Sequence, residues 1–134
     1  MINEKLINPN SIVVVGGSDD LFKPGGKVLK NIIDGKFSGK LYVVNPKQDK
    51  VQGLKCYKDI NDIPKTDLAI LAISSKLCLN VIEILVRDKN TKAFIIISAG
   101  FSEAGEEGKK LENEIVEIIK IVRMVIFLFI SILN

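Results

Sequence analysis

Two kinds of apolar pattern alternate along this chain. Short continuous runs, Ser11-Ile12-Val13-Val14-Val15, Leu41-Tyr42-Val43-Val44, Leu68-Ala69-Ile70-Leu71-Ala72-Ile73 and Ala93-Phe94-Ile95-Ile96-Ile97, are rich in β-branched residues and carry no polar alternation. Such runs predict strands buried on both faces. Between them, apolar residues recur at helical spacing: Val28, Leu29, Ile32 and Ile33 after the first run, Leu77, Val81, Ile82 and Leu85 after the third, and Leu111, Ile115, Ile118, Ile119 and Val122 after the fourth. Asp34-Gly35 supplies a left-handed stop for the first helix, and Pro46 ends the second strand. Ser74-Ser75 caps the second helix, and Glu103, Glu106 and Glu107 give the third an acidic first turn. Residues 50–65 are polar with isolated anchors at Val51, Leu54, Tyr57, Ile60 and Ile63, and read as a loop carrying Cys56 plus a short helix around Ile60.

Buried strands joined by helices imply a parallel sheet covered on both faces. The expected fold class is therefore α/β, a Rossmann-like doubly wound sheet in a single three-layer domain over residues 1–134, with Ser11–Val15 as its central strand. Residues 1–10 read as an arm lying against that strand. Residues 122–134, VRMVIFLFISILN, read as a further strand; the run is shorter than the roughly 20 residues a bilayer requires. Left exposed, it would be a self-association surface through which the chain could form a homo-oligomer.

A doubly wound sheet binds its ligand where the strands end and their order reverses. The carboxyl ends here carry Gly16-Gly17-Ser18, Asn45-Pro46-Lys47, Ser74-Ser75-Lys76 and Ser98-Ala99-Gly100. The first of these leads through Lys23-Pro24-Gly25-Gly26 into a helix, an order that aims free backbone N–H groups and a helix dipole at an anion. Phosphate is the expected ligand group.

The bulk properties narrow the class further. In 134 residues, 47% are apolar and 26% charged, a globular balance. The net charge of +3 comes from basic residues scattered along the chain, with only Arg87 and Arg123 as arginines, so no nucleic-acid partner is expected. The absence of histidine excludes Ser-His and Cys-His nucleophile pairs and any phosphohistidine on this chain. Cys56 and Cys78 lack metal or redox spacing and no signal peptide is apparent, which fits two reduced thiols in the cytoplasm. No membrane partner is expected.

The ligand's identity turns on two places. A GxGxxG fingerprint does not follow the first strand, since Gly17-Ser18-Asp19-Asp20-Leu21 follows Gly16. At the end of the second strand, where a carboxylate would hold the ribose hydroxyls of NAD, stand Asn45, Pro46 and Lys47. Those residues suit a phosphorylated ribose, as in NADP or coenzyme A.

SIVVVGGSDDLFKPGGKVLKNI, GKLYVVNPKQDKVQGLKCYKDINDIP, DLAILAIS and IIISAGFSEAGEEG, in this order, resemble the coenzyme A-binding domain of the NDP-forming acyl-CoA synthetases, relatives of the succinyl-CoA synthetase alpha subunit. The resemblance spans about residues 8–119. It implies a module that holds the adenosine and pyrophosphate of coenzyme A. Gly16, Gly17, Ser18 and Lys23, Pro24, Gly25 and Gly26 would lie at the diphosphate, and Asn45, Pro46 and Lys47 by the phosphorylated ribose. Ile73, Ser74 and Ser75 would line the adenine or pantetheine path, with Ser98, Ala99 and Gly100 nearer the thiol. No catalytic residue is expected. The parent enzymes interconvert acyl-CoA, NDP and phosphate with free acid, coenzyme A and NTP, through a phosphohistidine domain and an ATP-grasp module. This chain carries neither, so its partners would be those missing ligase and ATP-grasp parts, and it reads as an isolated module, a truncated copy or a fragment. The alternative from a different class is a regulatory, redox-sensing domain that binds NAD(P).

Overall fold

The computed structural model describes residues 5, 8–98, 105–121 and 126–130, with residues 119–121 and 126–130 described by their backbone alone. Seven strands form one sheet: β1 (Ser11–Val15), β2 (Lys40–Val44), β3 (Lys50–Val51), β4 (Leu54–Tyr57), β5 (Leu68–Leu71), β6 (Ala93–Ile97) and β7 (Ile126–Ile130). Their spatial order is β3-β4-β2-β1-β5-β6-β7. Every pairing is parallel except that of β3 with β4. Among the described residues, α1 (Pro24–Asp34), α2 (Ser75–Asp88) and α3 (Glu106–Ile121) are the helices that cover the sheet.

The absence of polar alternation in β1 is explained by its place at the centre of the sheet. Val13 and Val15 face a core with Ala69, Leu71, Phe94 and Ile96, closed by Cys78, Ile82 and Leu85 of α2 and Ile115 of α3. Ile12 and Val14 face the opposite core with Val43, Ile70 and Leu29 of α1. Two helices thus cover one face and one the other, the expected three layers. From β1 the chain winds one way through β2 and the other way through β5, so the switch point lies between the ends of β1 and β5.

Several local expectations are corrected. Residues 50–65 contain a β-hairpin, β3–β4, with Cys56 buried in β4 rather than placed in a loop; the short helix expected around Ile60 is present as a 3₁₀ helix, Ile60–Asp62. Its turn residues Gln52 and Gly53 both have positive φ (48° and 81°), the backbone that lets a two-residue turn follow the twist of its strands. Gly35 is not the left-handed residue after α1: its φ is −73°, and Lys36 takes the positive φ of 56° instead. Ser74 stands at the N-cap of α2, but its side chain makes no capping bond. The buried stripe of α2 is Cys78, Ile82 and Leu85, whereas Leu77 is 57% exposed. In α3 Ile115 is buried, Leu111 packs beside it, and Glu106 and Glu107 form the acidic first turn. Val122 and Glu103 lie outside the described residues, as does the side chain of Ile119. The apolar tail does supply a strand, β7, in register with β6 from Ala93↔Ile126 to Ile97↔Ile130. Of the N-terminal arm, Lys5 pairs with Asp67 at 3.4 Å, and the Asn10 N–H donates to the same carboxylate at 2.9 Å.

Candidate functional site

The carboxyl end of β1 is fixed from both neighbouring strands. The Gly16 N–H donates to Val44 of β2 at 2.9 Å, and the Ala72 N–H donates to Val15 at 2.8 Å. Gly16 has φ +90°, and a Cβ there would run into the Ala72 carbonyl and come within 3.0 Å of Ile73 Cγ2. Glycine is therefore required twice over, by backbone conformation and by the approach of β5. At Gly17 the φ is ordinary, but an added Cβ would lie 2.5 Å from Val43 Cγ1.

Gly25 and Gly26 have a packing role that the sequence reading did not assign. Cβ atoms at these positions would collide with the carbonyls of Gly16 and Asp20 respectively, so the first turn of α1 sits directly on the glycine loop. Pro24 opens that turn, where its missing N–H removes no helical bond, and Lys23 is the N-cap in extended conformation with an exposed side chain. The first-turn N–H groups of Gly25 and Gly26 have no acceptor within the helix. The loop is ordered by its own side chains: Asp20 N–H donates to Ser18 Oγ at 3.0 Å, and Phe22 N–H to Asp20 Oδ1 at 2.9 Å.

The end of β2 joins the same site. Asn45 Nδ2 donates to the Gly17 carbonyl at 2.9 Å, while Asn45 Oδ1 accepts from the Lys47 N–H at 2.9 Å, turning the chain at Pro46. Lys47 is exposed. Beneath this corner Cys56 Sγ lies 3.6 Å from the Asn45 carbonyl; burial, the largest cause, pushes its thiol pKa up, and the Asp49 and Asp19 carboxylates add to the rise. Cys78, in the opposite core, is pushed up to about 12 by burial alone. Both cysteines are free and buried, in keeping with inert thiols.

Most of the expected residues thus converge. Gly16, Gly17, Ser18, Lys23, Pro24, Gly25, Gly26, Asn45, Pro46 and Lys47 form one corner around the end of β1, and Ile73 reaches it through Gly16. Ser74 and Ser75 continue from Ile73 into α2, and Ser98 follows β6 further along the same edge. Ala99 and Gly100 lie outside the described residues. Sequence reasoning missed Gln52 and Asp19. The Gln52 N–H donates to Asp19 Oδ1 at 2.6 Å, and Gln52 Nε2 donates to the carbonyls of Ser18 and Gly26, both at 2.9 Å. The signal for these contacts was the hairpin itself, which brings Gln52 back over the glycine loop.

A separate cleft of about 810 Å³ lies between α2 and α3. It contains none of the expected residues, and its Glu83, Glu106, Glu107, Glu114 and Glu117 disfavour a phosphorylated ligand. Among the described residues no group of three or more Cys, Asp or Glu side chains could hold a metal ion, and no helix is long and apolar enough to cross a membrane.

A family model described as a CoA binding domain matches residues 10–124. The chain is 41% identical over 116 residues to acetate–CoA ligase (ADP-forming) II of Archaeoglobus fulgidus, covering 86% of this chain and 17% of that protein. It is 44% identical over 112 residues to acetate–CoA ligase (ADP-forming) II subunit alpha of Pyrococcus furiosus, covering 83% of this chain and 24% of that one. The solved dinucleotide-forming acetyl-coenzyme A synthetase 1 of Ca. Korarchaeum cryptofilum superposes with a TM-score of 0.81 at 38% identity, over 90% of this chain and 26% of its own. The chain therefore spans roughly a sixth to a quarter of the length of the curated relatives it matches. These matches do not favour the NAD(P)-sensing alternative. The strand-end glycines, the Asn45-Pro46-Lys47 corner and these relatives agree: this chain belongs to the CoA binding domain family and is homologous to one part of the ADP-forming acyl-CoA synthetases.

Proposed function

We propose that this chain binds coenzyme A at the corner between the ends of β1 and β2 and presents it to the rest of an ADP-forming acyl-CoA ligase. In this reading the amides of Gly17 and Ser18 and of the first turn of α1 face the diphosphate, where the helix dipole and Lys23 favour negative charge. Lys47 meets the 3′-phosphate of the ribose. Ile73, Ser74 and Ser75 follow the remainder of the ligand toward Ser98, Ala99 and Gly100. The chain positions the ligand and supplies no catalytic group; phosphoryl transfer and acyl chemistry belong to ligase and ATP-grasp parts joined to it or associated with it. Residues 1–134 act as one binding unit, in the cytoplasm, and the apolar edge at β7 is where a second copy would associate.

The observation that carries the reading is the Asn45–Gly17 hydrogen bond, which fastens a carboxylate-free, lysine-bearing strand end to the glycine loop. A pyrophosphate and a phosphorylated ribose can then be met by adjoining backbone. Calorimetric titration with coenzyme A, 3′-dephospho-coenzyme A and NADP tests it. Coenzyme A is expected to bind most tightly, and preferential binding of NADP would refute the reading.

A further inference from the structure

Gln52 stands at the tip of the β3–β4 hairpin with φ +48°, a conformation that ordinary side chains seldom adopt. Its side-chain amide donates to Ser18 at the start of the glycine loop and to Gly26 in the first turn of α1, at 2.9 Å each. Its backbone N–H donates to Asp19 Oδ1. Asn45 holds the neighbouring carbonyl, that of Gly17. Two successive loop carbonyls, of Gly17 and Ser18, therefore point at side-chain donors from the β2–β4 segment.

This fixes the direction of the opposite groups. Every peptide bond described is trans, so the N–H of each residue points away from the preceding carbonyl. With the Gly17 and Ser18 carbonyls turned onto Asn45 and Gln52, the N–H groups of Ser18 and Asp19 are turned to the other side of the loop. A free glycine-rich loop would sample many orientations and lose that freedom on binding. Here the orientation is set in advance, and the second contact of Gln52, to Gly26, holds α1 in the same frame.

Resting on the coenzyme A reading above, we infer that Gln52 is a positioning residue: it aims the Ser18 and Asp19 amides at the diphosphate and ties the glycine loop to the hairpin that follows the ribose-phosphate corner. The isosteric pair Gln52→Met, which removes the donors, and Gln52→Glu, which replaces them with acceptors facing two carbonyls, isolates this role from side-chain volume. Both variants of the full chain are titrated with coenzyme A and with 3′-dephospho-coenzyme A, with folding checked by cooperative thermal unfolding. Binding should weaken about tenfold or more in each variant, by the same factor for both ligands, because the defect lies at the diphosphate they share. In wild-type protein the backbone amide resonances of Ser18 and Asp19 should move downfield on ligand addition, and in Gln52→Met this movement should shrink. Wild-type affinity in Gln52→Met, a loss confined to coenzyme A, or unmoved Ser18 and Asp19 resonances in a wild-type chain that binds, would each overturn the inference while leaving the ligand reading intact. A wild-type chain that binds neither ligand would overturn that reading first and the inference with it.

Discussion

Replacing Gly25 by alanine sets two effects of opposite sign against each other. In an ordinary exposed helix the change stabilises by about 0.5–1 kcal/mol, since glycine loses more backbone freedom on folding. Here the added Cβ would overlap the Gly16 carbonyl oxygen, lie 2.8 Å from its carbon and sit 3.4 Å from Ala72 Cβ. Gly16 cannot retreat readily, because its N–H is bonded to Val44 at 2.9 Å and β5 closes against it from the other side. Relief requires lifting α1, whose Leu29 is fully buried in the core beneath. Overpacking of this kind costs about 1–3 kcal/mol or more, so the clash wins, with a net destabilisation of about 2 kcal/mol. At an m-value of about 1.5 kcal/mol/M, the urea midpoint should fall by about 1.3 M, followed by helical circular dichroism. Gly53→Ala is the control: nothing lies within 4 Å of its Cβ and only the positive φ of 81° is opposed, a cost of about 1–2 kcal/mol carried by the backbone alone. A Gly25→Ala midpoint at or above that of wild type would show that α1 does not rest on the glycine loop.

Other expectations follow from the same geometry. Lys47→Ala should weaken coenzyme A about tenfold or more while changing 3′-dephospho-coenzyme A little, as charged hydrogen bonds contribute about 1.5–3 kcal/mol; equal losses for both ligands would move Lys47 away from the 3′-phosphate. Phe94 of β6, fully buried in the core closed by α2 and α3, should cost about 3–5 kcal/mol on truncation to alanine, whereas Phe22, 91% exposed, should leave the unfolding midpoint almost unchanged on replacement by serine. Cys78, pushed up to about 12, binds its proton more tightly folded than unfolded. Its contribution is therefore complete below about pH 9 and is lost as the pH rises from there toward 12, at up to about 1.4 kcal/mol per pH unit. Cys78→Ala should flatten that alkaline slope in urea unfolding, and an unchanged slope would assign it elsewhere.

The parts of the fold legible in the sequence were those where one physical demand dominates. Val13 and Val14 face opposite cores, so neither face of β1 admits a polar residue and the run betrays its own central place. The hairpin was illegible for the opposite reason. β3 is two residues long and β4 four, too short to show a period, and the turn is Gln52-Gly53 rather than the usual Asn-Gly or Asp-Gly. Missing it hid Gln52, and with it the bonds that orient the loop. In α2 the apolar spacing places Ile82 and Leu85 in the core as expected and errs only in the first turn, where Cys78 is buried and Leu77 is not, since cysteine packs as a small apolar residue. Gly25 and Gly26 carry a phosphate signature in the sequence, whereas the Gly16 and Asp20 carbonyls beside them belong to the three-dimensional fold.

Whether the strand-end corner recognises coenzyme A is decided by thermal unfolding of the purified chain with and without millimolar coenzyme A, against NAD and NADP. A ligand that binds only the folded chain, present at one hundred times its dissociation constant, adds about 2.7 kcal/mol. In a domain of this size that raises the midpoint by several degrees. Coenzyme A should produce this rise and neither dinucleotide should; a rise with NADP and none with coenzyme A would assign the corner to a dinucleotide instead.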